Sequence, residues 1–474
     1  MFHRFVVAAA LAALPGIAFA QTVQQLKNQP PDGAQLTFQL TDGTVLAQGY
    51  ADSDFWVLTP DKKGSYVNGT WTEVGSLQPG YVPSANASQV LADGRVLFEG
   101  GEYNSGNFAL TNMGAIYDPK KGTWKPVKPP KGWRNIGDSP SAVLPNGDFI
   151  IGDKLNKKVA ELDPATMTWT ELESKHKNDF NAEEGWTLMP DGSILTADVK
   201  DNPQSEDYDA AKGKWHSLGS TVANLQGPPC CGCINYPPKN KCYYPPGEIG
   251  PAMLRPDGSV FATGALHSGA STGHTAVYTP GSGWAAGPDF PNGDDAGDNF
   301  ATLLTDGDVI VEATSGELYD FDGSTFTDTG VNGQYGSLMI LPTGQVLVGG
   351  AEVYISSGTY QSAWQPTISS SPSTVARGST YQISGTQFNG LSQANAFGDE
   401  YQTSTNYPLV QITNNSSGDV FYARTHDHST MGVATGSQTV STSFDVPPKM
   451  EKGASSLVVI ANGIPSAPVS VTVQ

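Results

Sequence analysis

Residues 91–124 read LADGRVLFEGGEYNSGNFALTNMGAIYDPKKGTW, and their rhythm decides the fold. An apolar residue leads into Asp93-Gly94, a dipeptide that favours a tight reversal between two strands, and the apolar run Val96–Phe98 follows at once. A third run ends at Tyr117, and the turn-rich stretch Asp118 to Gly122 brings the chain back to Trp124. Together with the run before Leu91, these are four short antiparallel strands in sequence order.

The unit repeats. LTDGTVL begins at Leu40, LPNGDFI at Leu144, MPDGSIL at Met189, RPDGSVF at Arg255, LTDGDVI at Leu304 and LPTGQVL at Leu341, which makes seven turns in all. The aromatic close recurs in LDPATMTW from Leu162, YDAAKGKW from Tyr208, YTPGSGW from Tyr278 and YDFDGSTF from Tyr319. Successive turns lie 37 to 66 residues apart, the range of the kelch-type repeat, in which each four-stranded unit is one blade of a propeller. The spacing predicts an all-β chain with a seven-bladed kelch-type β-propeller over residues 21–366. The phrase stops at Gln365-Pro366-Thr367. A Ser-rich segment and alternating strands ending in VVIANGIPSAPVSVTV predict an immunoglobulin-like β-sandwich over residues 367–474.

Residues 1–20 read as an export signal: a basic start at His3 and Arg4, an apolar run from Phe5 to Ala13, and a cleavage site at Ala18-Phe19-Ala20. A secreted or periplasmic protein is expected. No later stretch has the roughly 20 consecutive apolar residues needed to span a bilayer. With 26 basic against 46 acidic residues the net charge is −20, which disfavours nucleic acid and anionic membranes as partners. A monomer is expected.

All four cysteines, Cys230, Cys231, Cys233 and Cys242, fall in the insertion that widens the gap between the fourth and fifth turns. In an exported chain an even count implies disulfides, with three possible connectivities. A bond between the neighbours Cys230 and Cys231 strains the peptide, so each is expected to bridge to Cys233 or Cys242. A thiolate metal site is the alternative, but the spacing is not that of a zinc knuckle.

An export signal, seven kelch-type blades and a C-terminal sandwich ending in Gly463-Ile464-Pro465-Ser466 resemble the galactose oxidase and glyoxal oxidase family. The resemblance covers nearly the whole mature chain. It implies that the sandwich inserts a hairpin into the propeller's channel and that a histidine in a Thr-His motif ligates copper. The stretch ARTHDHSTMG, Ala423 to Gly432, matches with Thr425-His426, so His426 and His428 are expected to point down the pore. The family's other copper groups, a cysteine cross-linked to a tyrosine and a tyrosine-histidine pair, correspond to Ala34, Ala85 and Gln334-Tyr335. The cysteine, the cross-linked tyrosine and the strand histidine are missing, and radical-copper oxidation is not expected.

Those positions lie eight residues before each turn, at the starts of the innermost strands. The column reads Ala34, Ala85, Asp138, Glu183, Ile249, Asp298 and Tyr335, with Glu184, Glu248, Asp294 and Asp295 close by. Strand starts converge on a propeller's axis, so these acids are expected to share one cup, and Asp138, Glu183, Glu184, Glu248, Asp298 and Tyr335 are the catalytic candidates. Converging carboxyls need a cation, a shared proton or water between them. A divalent metal on Asp298, His426 and His428 is one reading, and general acid-base work on a glycosidic bond is another. Binding of a carbohydrate or small polyol is the first hypothesis, with Glu102, Tyr103 and His267 in the loops above the cup as further contacts. An extracellular interaction scaffold is a third class.

Overall fold

The computed structural model describes residues 22–51, 53–229, 233–236, 241–333 and 335–474. The segment in which the sequence predicts an export signal, Cys230, Cys231 and Gln334 lie outside them. Seven antiparallel sheets, each with four strands of the repeat, stand where the turns place them. Blade two, for example, runs outward through Ala87–Val90, Val96–Glu99, Gly114–Asp118 and Thr123–Val127. The fold is all-β, as the turn phrase predicts.

The turn phrase has a local cause. In blade one the Gly43 N–H donates to Leu40 O at 3.0 Å and the Leu40 N–H to Thr44 O at 2.8 Å, closing a three-residue loop. Asp42 Oδ1 accepts from the Thr44 N–H at 3.0 Å, which is why Asp or Asn precedes the glycine. All seven turn glycines have φ between +79° and +95°, where a Cβ would be strained. Strands such as Val96–Glu99 and Phe149–Gly152 are buried along their whole length, whereas fourth strands such as Thr123–Val127 are largely exposed. The recurring aromatic residues face each other across the third and fourth strands: Tyr117 with Trp124, Tyr208 with Trp215, Tyr278 with Trp284, and Phe321 with Phe326. Cross-strand pairs of this kind contribute about 0.2–1 kcal/mol each.

The first described strand closes the ring. Thr22–Gln25 pairs with Glu352–Ile355 and becomes the outer strand of blade seven. Blade seven is therefore built from both ends of the propeller's chain.

The sandwich strands follow from Thr367. Thr367–Ser370, Thr380–Thr386, Val440–Asp445 and Val420–His426 run side by side, and the order continues through Leu409–Asn414, Gly453–Ala461, Val469–Val473 and Thr374–Val375. Val420–His426 belongs to both halves, pairing with Leu409–Asn414 through Val420 to Ala423 and with Val440–Asp445 through Arg424 to His426. Ile383, Val410, Ile412, Phe444, Leu457 and Val459 form the core between them.

A hairpin from this unit does thread the propeller, but it is residues 391–407. Gln393 Oε1 accepts from the Leu188 N–H at 2.8 Å, Asn395 Oδ1 from the Ile340 N–H at 3.0 Å, and Asn395–Ala396 pairs with Ala301–Leu303. On the return, Gln402 O accepts from Ser88 Oγ at 3.2 Å and the Tyr407 hydroxyl donates to Gln39 O. These partners lie on the innermost strands of five different blades, so the segment occupies the central channel. Its apex, Asp399 to Tyr401, reaches the strand starts, where the Tyr401 hydroxyl accepts from the Ala85 N–H at 2.6 Å and from Gln35 Nε2 at 3.1 Å. A Cβ on Gly185 would lie 2.2 Å from Gly398 O, so glycine there lets blade four touch the apex.

Candidate functional site at the channel mouth

The column of strand starts is a structural feature as well as a sequence alignment. Ala85, Glu183, Asp298 and Tyr335 have φ of +51°, +56°, +51° and +54°. Left-handed backbone at non-glycine residues costs about 1–2 kcal/mol each, and such strain gathers at functional sites.

Two of these residues turn their carboxyls inward and meet the hairpin's apex. Asp138, Glu183 and Asp399 each place an oxygen within 4.8 Å of the others, and so do Asp298, Asp399 and Glu400. Asp399 belongs to both groups. Lys154, fully buried, pairs with Asp138 and lies 2.7 Å from Glu183 Oε2. The Tyr243 hydroxyl donates to Glu183 Oε1 at 2.6 Å, and its ring centroid is 5.3 Å from Lys154 Nζ. Glu102 and Glu248, half-buried, feel the charges of Lys154 and Glu183 and complete the rim. Asp298 is the exposed member of its group.

Seven carboxyls around one lysine cannot all be ionised. Burial, then repulsion from Glu183 and Asp399, pushes Glu248 up to about 9. Burial raises Asp399 to about 7. Burial and then Asp399 hold Glu400 well above the carboxylate range. The protein crowding Asp298, followed by Glu248, Asp399 and Glu183, does the same there, although solvent at its exposed edge screens part of the repulsion. Burial works against the charge of Lys154, but Glu183, Asp399 and Glu102 outweigh it and raise its pKa. Near neutral pH the cup therefore presents both protonated and ionised carboxyls.

The structure gathers Asp138, Glu183, Glu248 and Asp298, with Glu102 and Tyr103 at the edge, and leaves other candidates elsewhere. Glu184 turns into blade four, where Lys177 Nζ lies 2.7 Å from Glu184, 2.9 Å from Glu206 and 3.1 Å from Asp179. Tyr335 is 65% exposed and donates to Ser315 O at 3.0 Å. Asp294 and Asp295 accept from Ser315 and Thr314. His267 packs 5.2 Å from His274, which is bonded to Asp289.

His426 and His428 are not brought to Asp298. The Thr425 N–H donates to Thr41 O at 3.0 Å, and His426 shares a cleft with Asp93, Arg95 and Asp118. Those are turn residues, at the opposite end of the blades from the strand starts. His426 bonds Asp427 at 2.8 Å and Asp445 at 3.2 Å. His428 is half-buried in the sandwich, 2.9 Å from Thr442 Oγ1 and stacked on Tyr407. Burial, then the neighbouring His426, holds it down to about 3. The reason is register: the backbone of the Thr-His motif is committed to pairing with Val440–Asp445, and the channel is already filled by residues 391–407.

The cysteine pairing also differs from expectation. Cys233 bonds Cys242, with Cα atoms 4.8 Å apart, because the hairpin of Ile234–Tyr236 and Lys241–Tyr243 brings its two ends together. Neither is therefore open to Cys230 or Cys231.

Lys154, Tyr243, Asp399 and Glu400 are the cup residues that the sequence reading missed. A cleft of about 520 Å³, lined by Leu144, Asn146, Asp191, Asp207 and His216, opens on the turn face and shares no residue with the cup.

Seven four-stranded blades with a sandwich hairpin in their channel define a β-propeller, and its fold is similar to that of solved propeller enzymes. A fungal alcohol oxidase of the AA5 family, solved in complex with copper, is 13% identical, with 96% of this chain and 100% of that one covered and a TM-score of 0.50. A catalytically inactive virginiamycin B lyase from Staphylococcus aureus with quinupristin is 11% identical, with 70% of this chain and 98% of that one covered and a TM-score of 0.46. At these identities the likeness is one of fold. No family model and no curated protein matches the sequence.

Proposed function

We propose that the channel mouth binds a carbohydrate or related polyol. The observation that carries this reading is the convergence of column carboxyls and hairpin carboxyls around Lys154 and Tyr243. A sugar hydroxyl both donates and accepts, and a mixture of protonated and ionised carboxyls offers both partners. Tyr103, 39% exposed beside Glu102, adds an apolar platform of the kind sugar rings use. The Cys233–Cys242 disulfide supports a protein that works outside the cytoplasm, secreted or periplasmic.

A second reading is chemical. Glu248, raised to about 9, would stay protonated as an acid, while Asp399, raised to about 7, would be poised as a base. The all-oxygen group of Asp298, Asp399 and Glu400 would alternatively suit a hard divalent ion such as calcium, magnesium or manganese. Plasma mass spectrometry of protein purified without chelator tests the metal.

Equilibrium binding across a panel of neutral glycans tests the first reading. Asp298→Asn should weaken the best ligand by about tenfold, or about 1.4 kcal/mol. An affinity untouched by that change would place the ligand elsewhere.

A further inference from the structure

Blade five carries two histidines that the cup does not use. His267 and His274 sit on the connection between that blade's second and third strands, Val260–Thr263 and Thr275–Thr279, at the same end of the blades as the strand starts. Both are half-buried, and their ring centroids are 5.2 Å apart. The backbone sets this arrangement. The Phe290 N–H donates to Gly273 O at 3.0 Å and the Gly287 N–H to Thr275 O at 2.9 Å, which draws Asp289 level with His274. The Ala270 N–H donates to His267 O at 3.1 Å and closes a tight turn there.

Each ring already has its Nδ1 engaged by an acceptor. His267 Nδ1 lies 3.1 Å from Ser268 O, and a carbonyl oxygen can only accept, so the neutral ring carries its proton on Nδ1. His274 Nδ1 lies 2.7 Å from Asp289 Oδ1, where an ionised carboxylate imposes the same tautomer. In both rings Nε2 therefore keeps its lone pair, and neither Nε2 has a hydrogen-bond partner among the described residues. A backbone carbonyl and a carboxylate are the two groups that most often orient a metal-bound imidazole from its far nitrogen, fixing the ring and raising its basicity.

From this pair we infer a metal site at the rim of blade five: His267 and His274 bind a borderline divalent cation of the zinc class through their Nε2 atoms, and Asp289 and Ser268 O orient the rings. Zinc takes imidazole nitrogen at about 2.0–2.1 Å, a reach that small rotations of two neighbouring side chains supply. Two protein ligands leave the other positions of a tetrahedral ion to water or to an incoming donor. Calcium and magnesium prefer oxygen ligands and are not suited to the pair. No cup residue is a ligand, so the inference stands apart from the carbohydrate reading.

Titration of the full protein with zinc chloride tests this, followed by calorimetry and by long-range proton–nitrogen NMR of the histidine rings. Before zinc is added, both rings should show the Nδ1–H tautomer. With zinc, the Nε2 resonances of His267 and His274 should shift together as one equivalent binds, and calcium at the same concentration should leave them unmoved. His267→Ala and His274→Ala should each weaken that step by at least about tenfold, and Asp289→Asn by about tenfold. A zinc step that survives both histidine variants and disappears in Asp298→Asn would overturn the inference and place the ion in the cup. Rings that zinc does not move, or an Nε2–H tautomer at either histidine, would overturn it as well.

Discussion

Glu248 shows what crowded carboxyls do at the scale of one residue. Its pKa is raised from 4.5 to about 9 in the folded protein. Below about pH 4.5 both folded and unfolded chains hold the proton, and the stability linked to this group is fully present. As the pH rises towards 9 the unfolded chain releases its proton first, and that stability is lost. Glu248→Gln cannot ionise, so its melting temperature should match the wild type near pH 5 and exceed it by a few degrees near pH 9. A parallel pair of melting curves would contradict this. His428 has the opposite sign: lowered from 6.5 to about 3, it contributes stability above pH 6.5 that is lost as the pH falls. Half of the cup was legible at this scale. Asp138, Glu183 and Asp298 follow from counting back from each turn, because a strand's length fixes where it begins, and Glu248 stands one residue before the counted Ile249. Lys154 and Tyr243 were not, since they reach the cup from a loop after a second strand and from the residue after Cys242, positions with no repeat to index them.

At the scale of elements, the turns were readable because their chemistry is local, and the channel hairpin was not because its chemistry is tertiary. Residues 391–407 are rich in Ser, Gln, Asn and Thr and carry no apolar alternation, yet they are buried because their amides satisfy backbone groups of the innermost strands. The Thr-His motif drew attention to Val420–His426 instead, a strand already paired on both sides. The Gly398-Asp399 turn signal inside the sandwich was the available clue. Two glycine substitutions separate the roles. Gly258→Ala places a side chain at φ +84° with nothing within 4 Å, and should cost about 1–2 kcal/mol in urea unfolding with the cup intact. Gly185→Ala would press a Cβ against Gly398 O, costing about 1–3 kcal/mol and also weakening ligand binding as the apex is displaced. Equal binding by both variants would deny the apex a role.

At the scale of the whole molecule, two devices hold the ring. Thr22–Gln25 closes blade seven, and the hairpin fills the channel, so propeller and sandwich are expected to unfold in one transition. Removing residues 22–25 leaves the Glu352–Ile355 strand as an open edge, which should lower the melting temperature and promote association detectable by light scattering. The repeat count predicted seven blades, but the closing strand carries no turn phrase and could not be assigned from sequence. The central claim is that blades and sandwich jointly build the binding site. Its most direct test is a glycan array probed with wild-type protein and with Asp399→Asn/Glu400→Gln, which keeps the hairpin's shape and replaces its two carboxyls by amides. The account predicts that glycans retained by the wild type are lost from the double variant while both proteins show the same circular dichroism and melting profile at about pH 5. An unchanged array pattern would contradict it and move the ligand off the channel mouth.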